Sequence, residues 1–373
     1  MKSLCALLLG FGIVSSLRAE YNWYKTWTYR QMITIPAAKV TGSHAAFPVL
    51  VTEANVQPSL FANAQADGDD ILFTAADGKT KIPHEIELYD ADDDKLAAWV
   101  NVPAISSTAN TVLYVYYGKA SAANQQDAAN VWTNGFVGVW HMSAVNGVNY
   151  DSTTNANHGV TNGVVDVSAA GKIAGANAFF TNVISSVNTG AKENDADMDL
   201  GNSNLTLSLW CKPVTPIYGT DYLLSDGYNG GASNFGGFDV MHSSTSLILY
   251  FAQADKVRKQ IQFGHGFYVW KHVVVTWDVG LSRVEMYQDA VWEGGADCVG
   301  HGLYNISTIK IGSNSGGTLG SSFNGSIDEA RISRVARSAG WIATEHANQS
   351  APETFASASD EERLPWATQL VIR

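Results

Sequence analysis

The chain has 373 residues, with 35 Asp and Glu against 23 Lys and Arg, for a formal net charge of −12. That acidic balance excludes phosphate-backbone binding, which depends on releasing counterions through clustered Lys and Arg, so no nucleic acid is expected as a partner. Divalent cations, neutral glycans and proteins remain compatible partners, and the length implies two domains at roughly 150 residues each.

Residues 1–19 have the pattern of a secretory signal. Lys2 gives the positive start, Leu7 to Val14 a short apolar run, and Ala19 a cleavage position, with Leu17 larger than the ideal residue two places before it. The run is too short to span a bilayer. No later stretch approaches 18 apolar residues, so the mature chain is expected outside the cytoplasm and without a membrane-spanning segment. Cleavage removes Lys2 and Arg18 and moves the charge to −14 (21 basic against 35 acidic residues). Only Cys211 and Cys298 then remain. An oxidising compartment would permit a bridge between them, and the sequence does not give the Cα separation a bridge needs.

Downstream, helical periodicity is nearly absent. Short alternating runs separated by Gly, Asn, Asp and Ser predict an all-β fold built from sandwiches. From about Tyr21 to Gln125 lie YRQMITIP, FPVLVTE, DDILFTAADG, HEIELYD, AAWVNVP and TVLYVYYGK. These make up a β-sandwich of about seven strands. Residues 121–132 (SAANQQDAANVW) carry few large apolar side chains and read as a linker or short helix. A second region runs from about Trp132 to Phe355. In NLTLSLWCK, Leu205, Leu207, Leu209 and Cys211 share one face, and Thr206, Ser208 and Trp210 the other. WKHVVVTWD (270–278) and TIKIGS (308–313) are further strands, and VEMYQDAV (284–291) is two short strands about a Gln-Asp turn. The tail, 356–373, is first polar and acidic and then ends in LPWATQLVIR, an end that reads either as a strand returning to a sandwich or as the start of a part cut from a longer protein.

Trp27 and Arg30 before ITI, FPVLV, ADGDDILFTAADG, the HEIE strand, AWV at 98–100 and VYYGKASA, in this order, resemble the family called domain of unknown function 2341. VGVWHM (137–142), DSTTNANHG (151–159) and FNGSIDEARISRVARS (323–338) resemble the opening and closing strands of a laminin-G-like, concanavalin A-like jelly roll. The resemblance implies two β-sandwich domains, the second a jelly roll, in a bacterial secreted, periplasmic or cell-surface protein. Some relatives are associated with a proton-channel module of the biopolymer-transport type. Jelly rolls of this kind often hold a structural Ca²⁺, and by that resemblance Asp328 and Asp151 are the expected ligand pair. Ca²⁺ takes several oxygens at about 2.3–2.6 Å, and Ser152 and Asn155 lie near Asp151. The alternative is that both are turn residues, Asp151 opening an Asx-type turn and Asp328 pairing with Arg331 or capping a loop.

Other candidates are weaker. The acidic clusters at Asp90–Asp94 and Asp195–Asp199 lack the Gly and Glu spacing of an EF-hand and read as solvated turns. No E-x-D-x-E string occurs in the jelly-roll region, although Glu85 and Glu87 share a strand face in the first region. There is no G-x-S-x-G and no H-E-x-x-H. His141, after Trp140, reads as a core or edge histidine, and Trp140, Trp210, Trp270 and Trp277 as core or edge packing. In the Gly- and Asn-rich stretch DGYNGGASNFGG, Tyr228 and Phe235 are the candidate sugar-stacking rings. The expected function is therefore non-catalytic recognition of a glycan or surface protein by loops on a rigid frame. The alternatives are a structural part in an envelope assembly and an atypical glycoside hydrolase.

Overall fold

The structure is a computed structural model and describes residues 23–190, 203–214, 219–226, 237–252, 258–298, 308–314 and 320–364. Seven strands lie between Tyr29 and Tyr117 and form two sheets. In the first, Tyr29–Ile35 pairs with Thr111–Tyr117, which is followed by Leu72–Ala75 and Lys81–Ile82. In the second, Lys95–Ile105 lies between His44–Thr52 and His84–Asp90. The β-branched and aromatic alternation puts Ile33, Ile35, Val49, Val51, Phe73, Val100, Leu113 and Val115 into one core between the sheets. Asp90 accepts backbone N–H groups from Asp92 and Asp93, so that acidic cluster is the hairpin turn its sequence suggests.

The C-terminal segment closes this first unit. Ser357–Ala358 pairs with Ile33 and Thr34, and Glu362–Arg363 pairs with Tyr29 and Arg30. The helix Ala339–Ser350, N-capped by Ser338, brings Trp341 into the same core, and Phe355 and Ala356 join it. Asn55 donates to the carbonyls of Pro352 and Ala356, and Asn348 bridges the backbone of Leu50 in both directions. The first unit is thus discontinuous in sequence, and its edge strand is paired rather than exposed. Arg30 joins the two ends: it lies over Trp23 (4.4 Å) and Tyr114 (4.2 Å) and donates to Glu362 at 2.7 Å.

The second unit is a two-sheet jelly roll. One sheet runs Asp166–Ala170, Gly175–Phe179, Gly325–Ser333, Leu205–Pro213, Lys271–Asp278, Arg283–Gln288, Val291–Asp297, with Phe136–Trp140 also on Gly325–Ser333. The other runs from Arg258–Gly264 through Ser246–Ala252, Phe238–Ser243, Thr220–Ser225, Lys310–Ile311 and Ser185–Asn188 to Gly159–Gly163 and Val148–Asn149. Leu205, Leu207, Leu209 and Cys211 face the core between the sheets, as their alternation predicts. Cys211 and Cys298 are both buried in this core. Gly138 leaves room for the Trp140 ring, which a Cβ there would overlap. At Asp289 and Ala290 both φ angles are positive (51° and 65°), the left-handed pair of a tight hairpin turn.

The outer face of this sheet is covered as well. Thr206, Ser208 and Trp210 are buried: Thr206 meets Val335 and Arg337, Ser208 meets His272, and Trp210 donates its indole N–H to Gln349 of the helix Ala339–Ser350 at 2.6 Å. Between the units lies a separate apolar cluster of Leu50, Ala97, Trp99, Val131, Trp132, Val139 and Ile173. The expected linker, 121–132, supplies its last two residues to that cluster, after a single 3₁₀ turn at Ala128–Asn130.

Candidate functional site

The junction between the units holds a buried ionic network. His84–Asp90 is an edge strand of the first unit, and its outward residues meet the second unit instead of water. Glu85 Oε2 accepts from the Trp132 indole at 2.7 Å, and Oε1 accepts from Ser152 at 2.6 Å. Glu87 accepts from the Trp99 indole at 3.0 Å and from Ser143 at 3.1 Å. His141 follows the Phe136–Trp140 strand and lies between them. Its Nε2 is 3.3 Å from Glu85, and its Nδ1 is 2.7 Å from Glu329 and 3.4 Å from Glu87. Glu329 also pairs with Arg331, whose other arm donates to Glu345 at 2.9 Å. The Arg331 guanidinium lies over Trp99 (4.3 Å) and Trp132 (4.8 Å), and the imidazole stacks on Trp99.

Burial and crowding set the charges. Burial would lower His141, but Glu329, Glu87 and Glu85 outweigh it and hold the imidazole protonated, well above its ordinary range. Burial would raise Glu329, but His141 and Arg331 pull it down to about 2. Glu87 goes the other way: burial, helped by Glu329 and Glu85 against His141, pushes it up to about 8. Asp328 is also raised well above its ordinary value, by burial and by Glu329 and Glu87. Glu345 is raised by burial, with Arg331 opposing. At neutral pH the junction therefore contains ionised Glu329 beside a largely protonated Glu87 carboxyl.

Glu85 and Glu87, which share a strand face, meet the second unit and share His141. His141 is buried, as expected of a core or edge histidine, and is also the hub of an ion-pair network. The pairing joins residues 56 and 188 positions apart, so no local motif could signal it.

Asp151 and Asp328 serve separate loops. Asp151 accepts from the backbone N–H of Val139, Thr153 and Asn157 and from the Thr153 hydroxyl. Asp328 Oδ2 accepts from the backbone N–H of Lys172 (2.8 Å) and Ile173 (2.9 Å), while Oδ1 is buried with no hydrogen-bond partner. No hydrogen bond joins the two carboxylates among the described residues. Tyr228 and Phe235 lie outside the described residues.

Beside the network the junction opens. A cleft of about 330 Å³ is lined by Lys172, Trp210, Trp270, Asp289, His346 and Ser350. Trp270 is half-buried there. Lys172 lies over the Trp210 ring at 5.3 Å and donates to the Ser350 carbonyl. His346 stacks on Trp210 at 5.7 Å, with its Nε2 3.9 Å from Asp289. A second cleft of about 520 Å³, between the first unit and the 172–174 loop, shares Lys172 and Ser350 with it. Burial lowers both Lys172 and His346 from their ordinary values.

Comparison with known proteins places these units. The domain of unknown function 2341 matches residues 67–157, and the concanavalin A-like lectin/glucanases superfamily matches residues 185–343. The chain thus carries the first domain followed by a laminin-G-like jelly roll. No curated protein matches it. Among solved structures, a CBM40 of the Ruminococcus gnavus IT-sialidase bound to α2,3-sialyllactose is 11% identical over 43% of this chain and 92% of its own (TM-score 0.37). Domain 4 of a GH43 extracellular arabinanase from Geobacillus stearothermophilus, in complex with arabinotriose, is 17% identical over 57% and 98% (TM-score 0.44). The binding domain of Paraclostridial Mosquitocidal Protein 1 is 14% identical, and the matched part spans 57% of this chain and about half, 52%, of that one (TM-score 0.42).

Proposed function

We propose that this protein is a non-catalytic, extracytoplasmic recognition module that binds a glycan in the cleft between its two units. The observation that carries the reading is the half-buried Trp270 beside Lys172, Asp289 and His346. A pyranose offers an apolar C–H face to an aromatic ring and hydroxyls at its edge. An ammonium, a carboxylate and an imidazole around one indole supply the donors and acceptors those hydroxyls need. The volume, about 330 Å³, falls at the small end of ligand sites. The adjoining cleft extends the groove for a ligand longer than one sugar.

The non-catalytic reading rests on where the carboxylates are. Glycoside hydrolysis needs two carboxyl groups flanking a bond that the substrate can bring to them. Glu87 and Glu329 have side chains 3% and 1% exposed, beneath Trp99 and Arg331. Of the residues lining the smaller cleft, Asp289 alone is acidic, and Lys271 holds it at 2.7 Å. The extracytoplasmic reading rests on the signal pattern of residues 1–19. Retardation of the mature protein in gels containing soluble polysaccharides tests the proposal. One or more glycans should slow the wild type, and Trp270→Ala should weaken that interaction at least roughly tenfold, the loss of about 1.4 kcal/mol. Retardation unchanged in Trp270→Ala would rule the cleft out.

A further inference from the structure

Around Nδ1 of His141 the junction gathers a donor set that suits a metal ion. We propose that the protein binds one divalent zinc-class ion between Glu87, His141 and Glu329, clamping its two units together. One ligand atom from each of these residues lies within 4.8 Å of the other two. The Nδ1 distances to Glu329 and Glu87 are 2.7 and 3.4 Å. Tetrahedral bonds of about 2.0–2.1 Å put ligand atoms roughly 3.3 Å apart, so Glu87 already stands at that spacing from Nδ1 and Glu329 would draw back by about 0.6 Å to seat the ion.

The atoms that would not touch the ion are already held. Nε2 of His141 faces Glu85, the carboxylate contact that fixes a ligating imidazole. Glu87 is oriented by Trp99 and Ser143, and Glu329 by Arg331, whose charge is offset by Glu345. Glu329 is itself an outlier. Its φ is +53°, where the register slips between Ser208 opposite Arg331 and Trp210 opposite Asp328. A left-handed glutamate is strained and persists where the surroundings over-determine it; here it sits at the convergence of three ligand atoms.

An imidazole and two carboxylates walled by indoles match zinc-class ions, whereas Ca²⁺ takes six to eight oxygens. A water or a second carboxylate oxygen would complete the shell.

The test is made on the mature, untagged chain, stripped with chelator and then titrated with Zn²⁺ or Ca²⁺. Wild type should take up about one Zn²⁺ per chain and melt several degrees higher with Zn²⁺ but not with Ca²⁺. Glu87→Gln keeps an acceptor for Trp99 and Ser143, so it should melt like the stripped wild type while losing zinc uptake at least roughly tenfold. No zinc uptake by wild type, or equal uptake by Glu87→Gln, would overturn the site. Should that variant not fold, the wild-type comparison of the two ions decides: a melting rise with Zn²⁺ alone supports the site, and no rise, or an equal rise with both ions, overturns it.

Discussion

Arg331→Met gives the sharpest reading of the buried network. The guanidinium is 1% exposed, donates to Glu345 at 2.9 Å and to Glu329, and lies 4.3 and 4.8 Å from the Trp99 and Trp132 rings. Methionine fills most of the alkyl volume, so the loss is mainly electrostatic. Glu329 keeps His141, while Glu345 keeps the 3.3 Å contact from Gln349 and the charge of Arg337. Breaking a buried pair from one side costs about 3–5 kcal/mol. Desolvated cation–π contacts of up to about 2 kcal/mol fall within that range. We expect a loss of about 4 kcal/mol at pH 8, read by urea unfolding followed with tryptophan fluorescence. The stranded Glu345, already raised by burial, should rise further. Its protonated form is then favoured in the folded state, so the variant recovers stability as pH falls toward 5. Adding Glu345→Gln should recover at least roughly 1 kcal/mol. A loss below about 1 kcal/mol, or one independent of pH, would refute the network as described.

Further outcomes follow from the same geometry. With chelator present, Glu87 (about 8 when folded, against 4.5) and His141 (raised above 6.5) both bind a proton more tightly in the folded protein. Their contributions are full below pH 4.5 and 6.5 and are lost as pH rises through their folded values, while the contribution of Glu329 is lost as pH falls toward 2. The melting temperature should therefore decline between about pH 6.5 and 9; a steady rise over that range would contradict the assignment. Phe355→Ala, at a fully buried position in the first core, should cost about 3–5 kcal/mol in chemical unfolding, and a cost under about 1 kcal/mol would mean the C-terminal return is not integral. Ala290→Gly, at φ 65°, should stabilise the hairpin by about 0.4–1 kcal/mol, and a lower melting temperature would count against the left-handed turn.

The alternation of NLTLSLWCK places Leu205, Leu207, Leu209 and Cys211 in the jelly-roll core because a strand has period two and one face must be buried. The same rule says nothing of what covers Thr206, Ser208 and Trp210. Part of that cover, over Trp210, is the helix Ala339–Ser350, whose apolar residues, chiefly Trp341 and Ile342, are too few to announce an amphipathic face. Glu85 and Glu87 are visible as two carboxylates on one strand face, but their partners come from His141 and Glu329. Long-range pairing of this kind has no local spacing. Trp270 carries no sequence mark separating a cleft-lining ring from a core one, and half-burial is a property of the assembled junction. The tail is a different case: the end LPWATQLVIR, for which a returning strand is one reading, lies outside the described residues after Leu364, and it is the polar stretch before it that returns, Ser357–Ala358 pairing with Tyr29–Ile35.

Hydrogen exchange of the mature protein, with and without the polysaccharide that retards it most, tests the central claim most directly. The account predicts new protection at the start of Lys271–Asp278, around Lys172, and in the last turn of the helix Ala339–Ser350, the three segments that frame the Trp270 cleft. Protection confined to residues 227–236, with these three segments unchanged, would contradict it and move recognition to the stretch containing Tyr228 and Phe235.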